Sequence, residues 1–348
     1  MTLASQKSFS IMKRSLTPNR PYHVQWFLTR KCNYRCRGCQ VWRKNEKIEE
    51  LSTHKIKKGM DILRNLGVIE IVFTGGNPLL RDDIDEILKY ASKYFITTIY
   101  DNGSLAVEKM DVLRNVDFVA ISLDTLNEEL NDYMKGVPGS WKKAMNAIDT
   151  LHKDRIPVVV SPTISQMNLH EILEFTKHFT DQGIPLWYCL YGYDFSSENS
   201  LFKIGKRQDD LRIRDKKAVV SLCNALTKMK RERSGILITD KTLNAIRGLF
   251  ETGRRIWQCK ALQGFLMIDH HGRVAGCHCL NPVTSIFELP KTWDSPEFDL
   301  LREKYQKCDK CAFLCYIFYS LHGSIRGNIE VVRDQWKNSR VVLPILDN

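Results

Sequence analysis

From residue 23 to about residue 190 the chain alternates continuous apolar, β-branched runs with longer amphipathic ones. HVQWFLT (23–29) predicts a strand, and STHKIKKGMDILRNLG (52–67) predicts a helix opened by a Ser/Thr cap and closed by Gly67. The cycle repeats through IEIVFTGG, FITTIYDNG, VDFVAISLD, IPVVVSPTI and IPLWYCLYGY, separated by amphipathic segments such as RDDIDEILKYASKY and NLHEILEFTKHFTDQG. Strands that are apolar along their whole length are buried on both faces, so the pattern predicts an α/β fold with a parallel sheet covered by helices. Right-handed crossovers wind such units into a doubly wound sheet or a whole or partial barrel. Loops after the strands then gather at one edge, and chemistry is to be sought there.

Past residue 195 the pattern changes. Residues 196–258 read as helical and charged, without strand signal. CKALQGFLMIDHHGRVAGCHC (259–279) then predicts a short hairpin, with FLMID and RVAGC on either side of a turn at HHG. CDKCAFLC (308–315) and the amphipathic YIFYSLHGSI follow. The expected organisation is a flexible basic arm (1–20), a barrel core (21–195), a helical linker (196–258) and a small Cys-rich module (259–348). The N-terminal arm lacks the apolar block of a signal peptide, and no run reaches the roughly 18–20 apolar residues of a membrane span, so a cytoplasmic protein is expected. The arm is also basic, Ser-rich and free of acids, which keeps an organellar transit peptide as the alternative to a disordered tail.

Eleven cysteines without a secretion signal argue for thiols kept reduced for metal or redox work rather than for a disulfide framework. Cys189 and Cys223 stand alone and read as buried free thiols; the rest fall into the groups Cys32/36/39, Cys259/277/279 and Cys308/311/315. Lys and Arg outnumber Asp and Glu 52 to 40, a formal charge of +12, which favours anionic partners without choosing among them. Runs such as KIGKRQDDLRIRDKK also read as plain solvated helix faces.

Cys32, Cys36 and Cys39 follow the first strand, on the edge where an active site is expected. Structural zinc usually takes paired C-x-x-C hooks to complete four ligands, whereas no fourth Cys or His occurs here before His54. Three thiolates at this spacing can hold three corners of an iron–sulfur cubane and leave the fourth iron bare. C-x-x-x-C-x-x-C after a first strand resembles the radical S-adenosylmethionine (SAM) superfamily, in which that iron chelates SAM. TGGNP (74–78) is similar to the superfamily's GGEP motif, YDNGSL to its TNG loop and ISLDT to its SLDG loop. The resemblance implies a partial (β/α)6 TIM-like barrel and a [4Fe-4S] cluster on Cys32, Cys36 and Cys39. It further implies SAM contacts from Gly75, Gly76, Asn77, Pro78, Asn102, Ser122 and Asp124, with Ser161 or Thr163 on the fifth strand. Asn77 replaces the usual glutamate. Gly38 replaces the common aromatic before the third cysteine, so Trp42 or Tyr34 is expected to pack in its stead.

Cys259, then Gly272 and Cys277, resembles the opening of the C-terminal SPASM or shorter twitch modules. Cys259, Cys277, Cys308 and Cys311 would then close a second, auxiliary [4Fe-4S] cluster, with Cys315 as the main rival to Cys311 and Cys279 left over. A four-cysteine zinc site is the alternative for that group. His270, His271 and His278 beside it read as turn or surface histidines before ligands.

The resemblance implies reductive cleavage of SAM to a 5′-deoxyadenosyl radical that takes a hydrogen atom from an unactivated C–H bond, with a ferredoxin or flavodoxin as reductant. LWYCLYGYD (186–194) offers Tyr188, Tyr191, Tyr193 and Asp194 as pocket candidates, against ordinary strand packing. The expected substrate is a peptide, cofactor precursor or other anionic small molecule. An isoprenoid or membrane lipid met at a membrane surface is the second reading. A metal-stapled nucleic-acid-binding protein is the third and weakest, because the charge runs lack base-stacking aromatics and TGGNP would have no purpose.

Overall fold

Ser52 accepts a hydrogen bond from the Lys55 amide and Gly67 turns left-handed at φ 103°, so the first helix, α1 (Thr53–Leu66), starts and stops where its caps dictate. The structure is a computed structural model and describes residues 20–43, 49–192, 210–308, 313–323, 325–336 and 338. Five strands, β1 (His23–Thr29), β2 (Glu70–Gly75), β3 (Ile96–Asp101), β4 (Phe118–Ile121) and β5 (Val158–Val160), lie parallel and adjacent in chain order. Between them run α1, α2 (Ile84–Ser92), the short α3 (Met110–Leu113), α4 (Glu128–Lys135) and α5 (Ser140–Lys153).

The sixth unit is less regular than its apolar run suggests. β6 (Thr163–Ile164) and β7 (Cys189–Leu190) form a separate parallel pair with α6 (Ile172–Asp181) between them, and the main sheet continues past β5 only through a bridge from Val160 to Leu186. Pro185, without an N–H, limits that ladder. Two helices follow, α7 (Lys216–Glu232) and α8 (Asp240–Thr252), and Ile236 between them bridges Leu186 in a strand-like contact that the surrounding charge concealed.

The hairpin forms as expected from β8 (Phe265–Ile268) and β9 (Arg273–Ala275), with β10 (Thr284–Ser285) beside it. β8 also pairs in parallel with β1, His23 opposite Phe265, so the order is β10-β9-β8-β1-β2-β3-β4-β5. The Cys-rich segment and the barrel therefore share one sheet. The chain continues through α9 (Leu289–Thr292), α10 (Pro296–Gln306), α11 (Leu314–His322) and α12 (Ile325–Trp336).

The strands curl: Gln25, Val72, Thr98, Phe118, Val159 and Trp187, from six successive strand segments, all line one interior cavity. α11 closes the side left open. Its Tyr319 ring stacks on His23 at 3.6 Å, its hydroxyl donates to Glu70 Oε2 at 2.7 Å, and Phe318 meets Trp187 at 5.5 Å. The amphipathic stretch around this helix is thus core, each buried aromatic worth about 1.5–3 kcal/mol. Among the described residues no helix is long and apolar enough to cross a membrane.

Candidate active site

The register of β1 against β2 slips between Phe27 and Thr29, and the chain leaves the sheet there into the cysteine loop. The loop is tied on all sides. Arg30 donates to the Val41 carbonyl, Trp42 Nε1 to the Cys36 carbonyl at 3.1 Å, and the Arg35 and Arg37 amides to the carbonyls of Lys135 and Met134 on α4. Amides of Tyr34 and Val41 point at the sulfurs of Cys32 and Cys39, both at 3.4 Å. Burial pushes the Cys36 thiol up to about 12 and raises Cys32, and each of these thiols feels the charge of its neighbours in the loop. Clustered, desolvated thiols with amide donors to sulfur ionise readily only when a cation compensates them, which is the donor set a metal cluster requires. Among the described residues no three His, Cys, Asp or Glu side chains converge tightly enough for a single ion; a cubane spreads its thiolates over separate irons.

The glycine pair has a steric origin. A Cβ on Gly76 would lie 2.0 Å from the Lys31 carbonyl oxygen, and one on Gly75 (φ 143°) 2.3 Å from that of Thr29. In their place Gly76 N donates to Thr29 O and Asn77 N to Lys31 O, both at 2.8 Å. Backbone is thus packed on backbone, locking the cysteine loop to the end of β2.

Asn77 is fully buried and caps the short turn Pro78–Leu80, accepting from Leu79 N at 3.0 Å. Its amide donates to Asp101 Oδ1 at 2.7 Å and to Asn102 Oδ1 at 3.2 Å. Asp101 was not among the expected site residues, although it precedes Asn102 in the same loop. Burial raises its carboxyl to about 6, against hydrogen bonds from Asn77 and backbone amides. A glutamate at 77 would set a second carboxylate against Asp101, so the departure from GGEP and the aspartate belong together. Asn77→Asp is expected to lose about 2–3 kcal/mol in urea unfolding, and Asp101→Asn added to it to recover most of that.

Ser122, Asp124 and Thr163 meet at the next stretch of the edge. Lys135, 5% exposed on α4, reaches Asp124 Oδ2 and Ser122 Oγ, both at 2.7 Å, while the Thr163 amide donates to Asp124 Oδ1 at 2.9 Å. Burial works to lower the Lys135 pKa, but the charges of Asp124 and Cys36 outweigh it and the net shift is upward.

Beneath this edge lies the cavity, about 330 Å3, with Cys39, Gly75, Thr163 and Tyr191 toward the strand ends and Glu70 and Tyr319 at its floor. Trp187, Cys189, Leu190 and Tyr191 line the cavity, whereas the hydroxyl of Tyr188, the other expected pocket residue, meets Thr176 on α6 at 2.8 Å. Tyr191 does line the cavity; Tyr193 and Asp194 lie outside the described residues. Neither Tyr34 nor Trp42 takes the space beside Gly38. A Cβ there would lie 2.4 Å from Tyr191 Cε2, so the glycine admits a ring that arrives from β7.

In the C-terminal segment Cys259, Cys277 and Cys308 gather about Tyr305, whose phenol burial and these three thiols push up to about 12. Cys311 lies outside the described residues. Cys315, on α11, lines the barrel cavity, and Cys279 and Cys315 both act on Tyr316. His278 is buried, its Nδ1 2.9 Å from the Tyr316 hydroxyl, and the His270 ring lies 3.9 Å from that of His271, tilted by 42°.

Residues 26–179 match the profile of the Radical SAM superfamily. An AdoMet-dependent heme synthase of Methanosarcina barkeri is 26% identical over 320 residues, 86% of this chain and 89% of that one. The subtilosin biosynthesis protein AlbA of Bacillus subtilis is 30% identical over 168 residues, 47% of this chain and 38% of its own length. A heme synthase of Oleidesulfovibrio alaskensis is likewise matched over only 44% of its length. In fold, the structure of Streptococcus suis SuiB bound to S-adenosylmethionine superposes with a TM-score of 0.63 at 17% identity, covering 94% of this chain and 78% of that one. With the cysteine loop, the double-glycine turn and the parallel α/β sheet all inside the matched span, residues 26–179 carry a radical SAM domain.

Proposed function

We propose that the chain cleaves SAM reductively at a [4Fe-4S] cluster on Cys32, Cys36 and Cys39 and takes a hydrogen atom from a substrate whose apolar portion enters the barrel. The carrying observation is the cavity, which begins beside Cys39, is walled by Phe27, Tyr100, Phe118, Trp187 and Phe313, and is shut below by α11. When bound, the cluster and SAM supply an electron and a deoxyadenosyl radical. The chain's part is to hold and enclose. Amides of Tyr34 and Val41 donate to the sulfurs of Cys32 and Cys39, which would hold the cluster, Lys135 places a cation near Cys36, and the aromatic wall excludes water from the reacting carbon.

Among the described residues no Lys or Arg lines the cavity, and its ion pair, His23 with Glu70 at 2.9 Å, is satisfied internally. An anionic group on the substrate therefore stays at the rim, where Lys31, Arg35 and Arg37 of the cysteine loop lie. A modified peptide or a cofactor precursor meets that description, in keeping with relatives named as a heme synthase and a bacteriocin biosynthesis protein. The apolar wall equally favours, as second reading, an isoprenoid or membrane lipid. Cys259, Cys277 and Cys308, with Cys311 as fourth ligand, are proposed to hold an auxiliary [4Fe-4S] cluster, and a ferredoxin or flavodoxin to deliver the electrons.

Anaerobic reconstitution with dithionite and SAM tests this. About eight irons per chain and formation of 5′-deoxyadenosine are expected; about four irons would remove the auxiliary cluster, and no deoxyadenosine would remove the reaction. Liposome flotation of the reconstituted protein separates the lipid reading from the peptide one.

A further inference from the structure

We infer that Cys189 returns a hydrogen atom to the carbon radical left on the substrate, an inference that rests on the reaction proposed above. Cys189 lines the same cavity as Trp187, Tyr191 and Cys39. Its sulfur lies 3.7 Å from Ser161 Oγ, and the Tyr100 hydroxyl on β3 bonds to both Ser161 and Cys189. Cys315 on α11 faces the same space and acts on the same phenol. The cavity lining thus holds two thiols and a phenol, with the Ser161 hydroxyl behind them, where ordinary barrel packing would place Val or Leu.

The chemistry follows from bond strengths. An S–H bond is weaker than an alkyl C–H bond, so transfer from thiol to a carbon radical runs toward carbon, and burial keeps the Cys189 thiol protonated at neutral pH. The S–H bond breaks homolytically as the new C–H bond forms, leaving a thiyl radical on Cys189. One electron from a reductant of the ferredoxin or flavodoxin class and one proton from solvent restore the thiol. The substrate then leaves at its original oxidation level, inverted or rearranged rather than oxidised. Ser161 and Tyr100 are positioning residues that aim the thiol.

Two measurements on the reconstituted protein test this. In the first, with SAM and dithionite as the only added reagents in D2O, an exchanged S–D in the cavity quenches the radical and gives singly deuterated 5′-deoxyadenosine in the wild-type protein. The deuterated fraction is expected to fall several-fold in both Cys189→Ala and Cys189→Ser, since a serine O–H is too strong to give up its hydrogen, and to reach natural abundance when Cys315→Ala is added. Equal deuterium in wild type and both variants would overturn the proposal, while no deoxyadenosine from the wild type would overturn the underlying reaction as well. In the second, native labelling with methylmercury chloride, which displaces the proton of a neutral thiol and so does not wait on its ionisation, followed by peptide mass mapping reads the thiol's placement without turnover. Cys189 is expected to label well ahead of Cys223, which is packed in the core at 4% exposure; labelling no faster than Cys223 would place the thiol outside the cavity and end the proposal.

Discussion

Lys135→Met is expected to cost about 3–5 kcal/mol of folding stability, because it leaves the Asp124 carboxylate buried without its cation. Both side chains are 6% exposed and 2.7 Å apart, so solvent cannot replace the lost partner. The damage reaches the site directly. Asp124 also anchors the Thr163 amide, and the α4 carbonyls beside Lys135 receive the Arg35 and Arg37 amides of the cysteine loop. Adding Asp124→Asn should recover a large part of the loss, since an amide oxygen can still accept from Thr163 without a charge to bury. Urea unfolding of the single and double variants measures both numbers, and a loss under about 1 kcal/mol for Lys135→Met would mean that water reaches the pair.

Gly76→Ala is the second large effect. The added methyl would sit 2.0 Å from the Lys31 oxygen and 2.8 Å from the Arg30 oxygen, contacts only a shift of the cysteine loop's backbone can relieve. A loss of about 3 kcal/mol is expected, with iron uptake by the Cys32 group falling while that by the Cys259 group persists. Gly248→Ala is the internal comparison. That glycine lies in α8 with nothing within 4 Å of its Cβ position, so the same change there should be neutral or stabilise by up to about 1 kcal/mol. Equal behaviour of the two variants in unfolding and iron content would contradict the locking role assigned to the turn.

What could be read from the residues alone was whatever local chemistry writes plainly. The Ser52 and Gly67 caps, the first five apolar strands and the HHG turn are each decided within a few neighbours, and each is where it was expected. α4 was missed because its buried face carries Asn131, Met134 and Lys135, two of them polar, so hydrophobic periodicity is silent there although the helix supports the whole cysteine loop. The pairing of β8 with β1 joins segments more than two hundred residues apart and leaves no local trace. Tyr188 lies between two cavity-lining residues, Trp187 and Cys189, and only the packing of α6 shows that its hydroxyl turns to Thr176. Gly38 looked like a missing aromatic until its partner ring, Tyr191, came from the far end of the barrel.

The proposed reaction depends on an iron left open for SAM by only three protein thiolates. Low-temperature EPR of the dithionite-reduced, reconstituted protein, recorded before and after saturating SAM in a Cys259→Ala/Cys277→Ala background that removes the second cluster's signal, examines that iron itself. A reduced-cluster signal whose g-values change when SAM is added is the expected result; a signal that SAM leaves unaltered would mean the fourth position is already held by the protein.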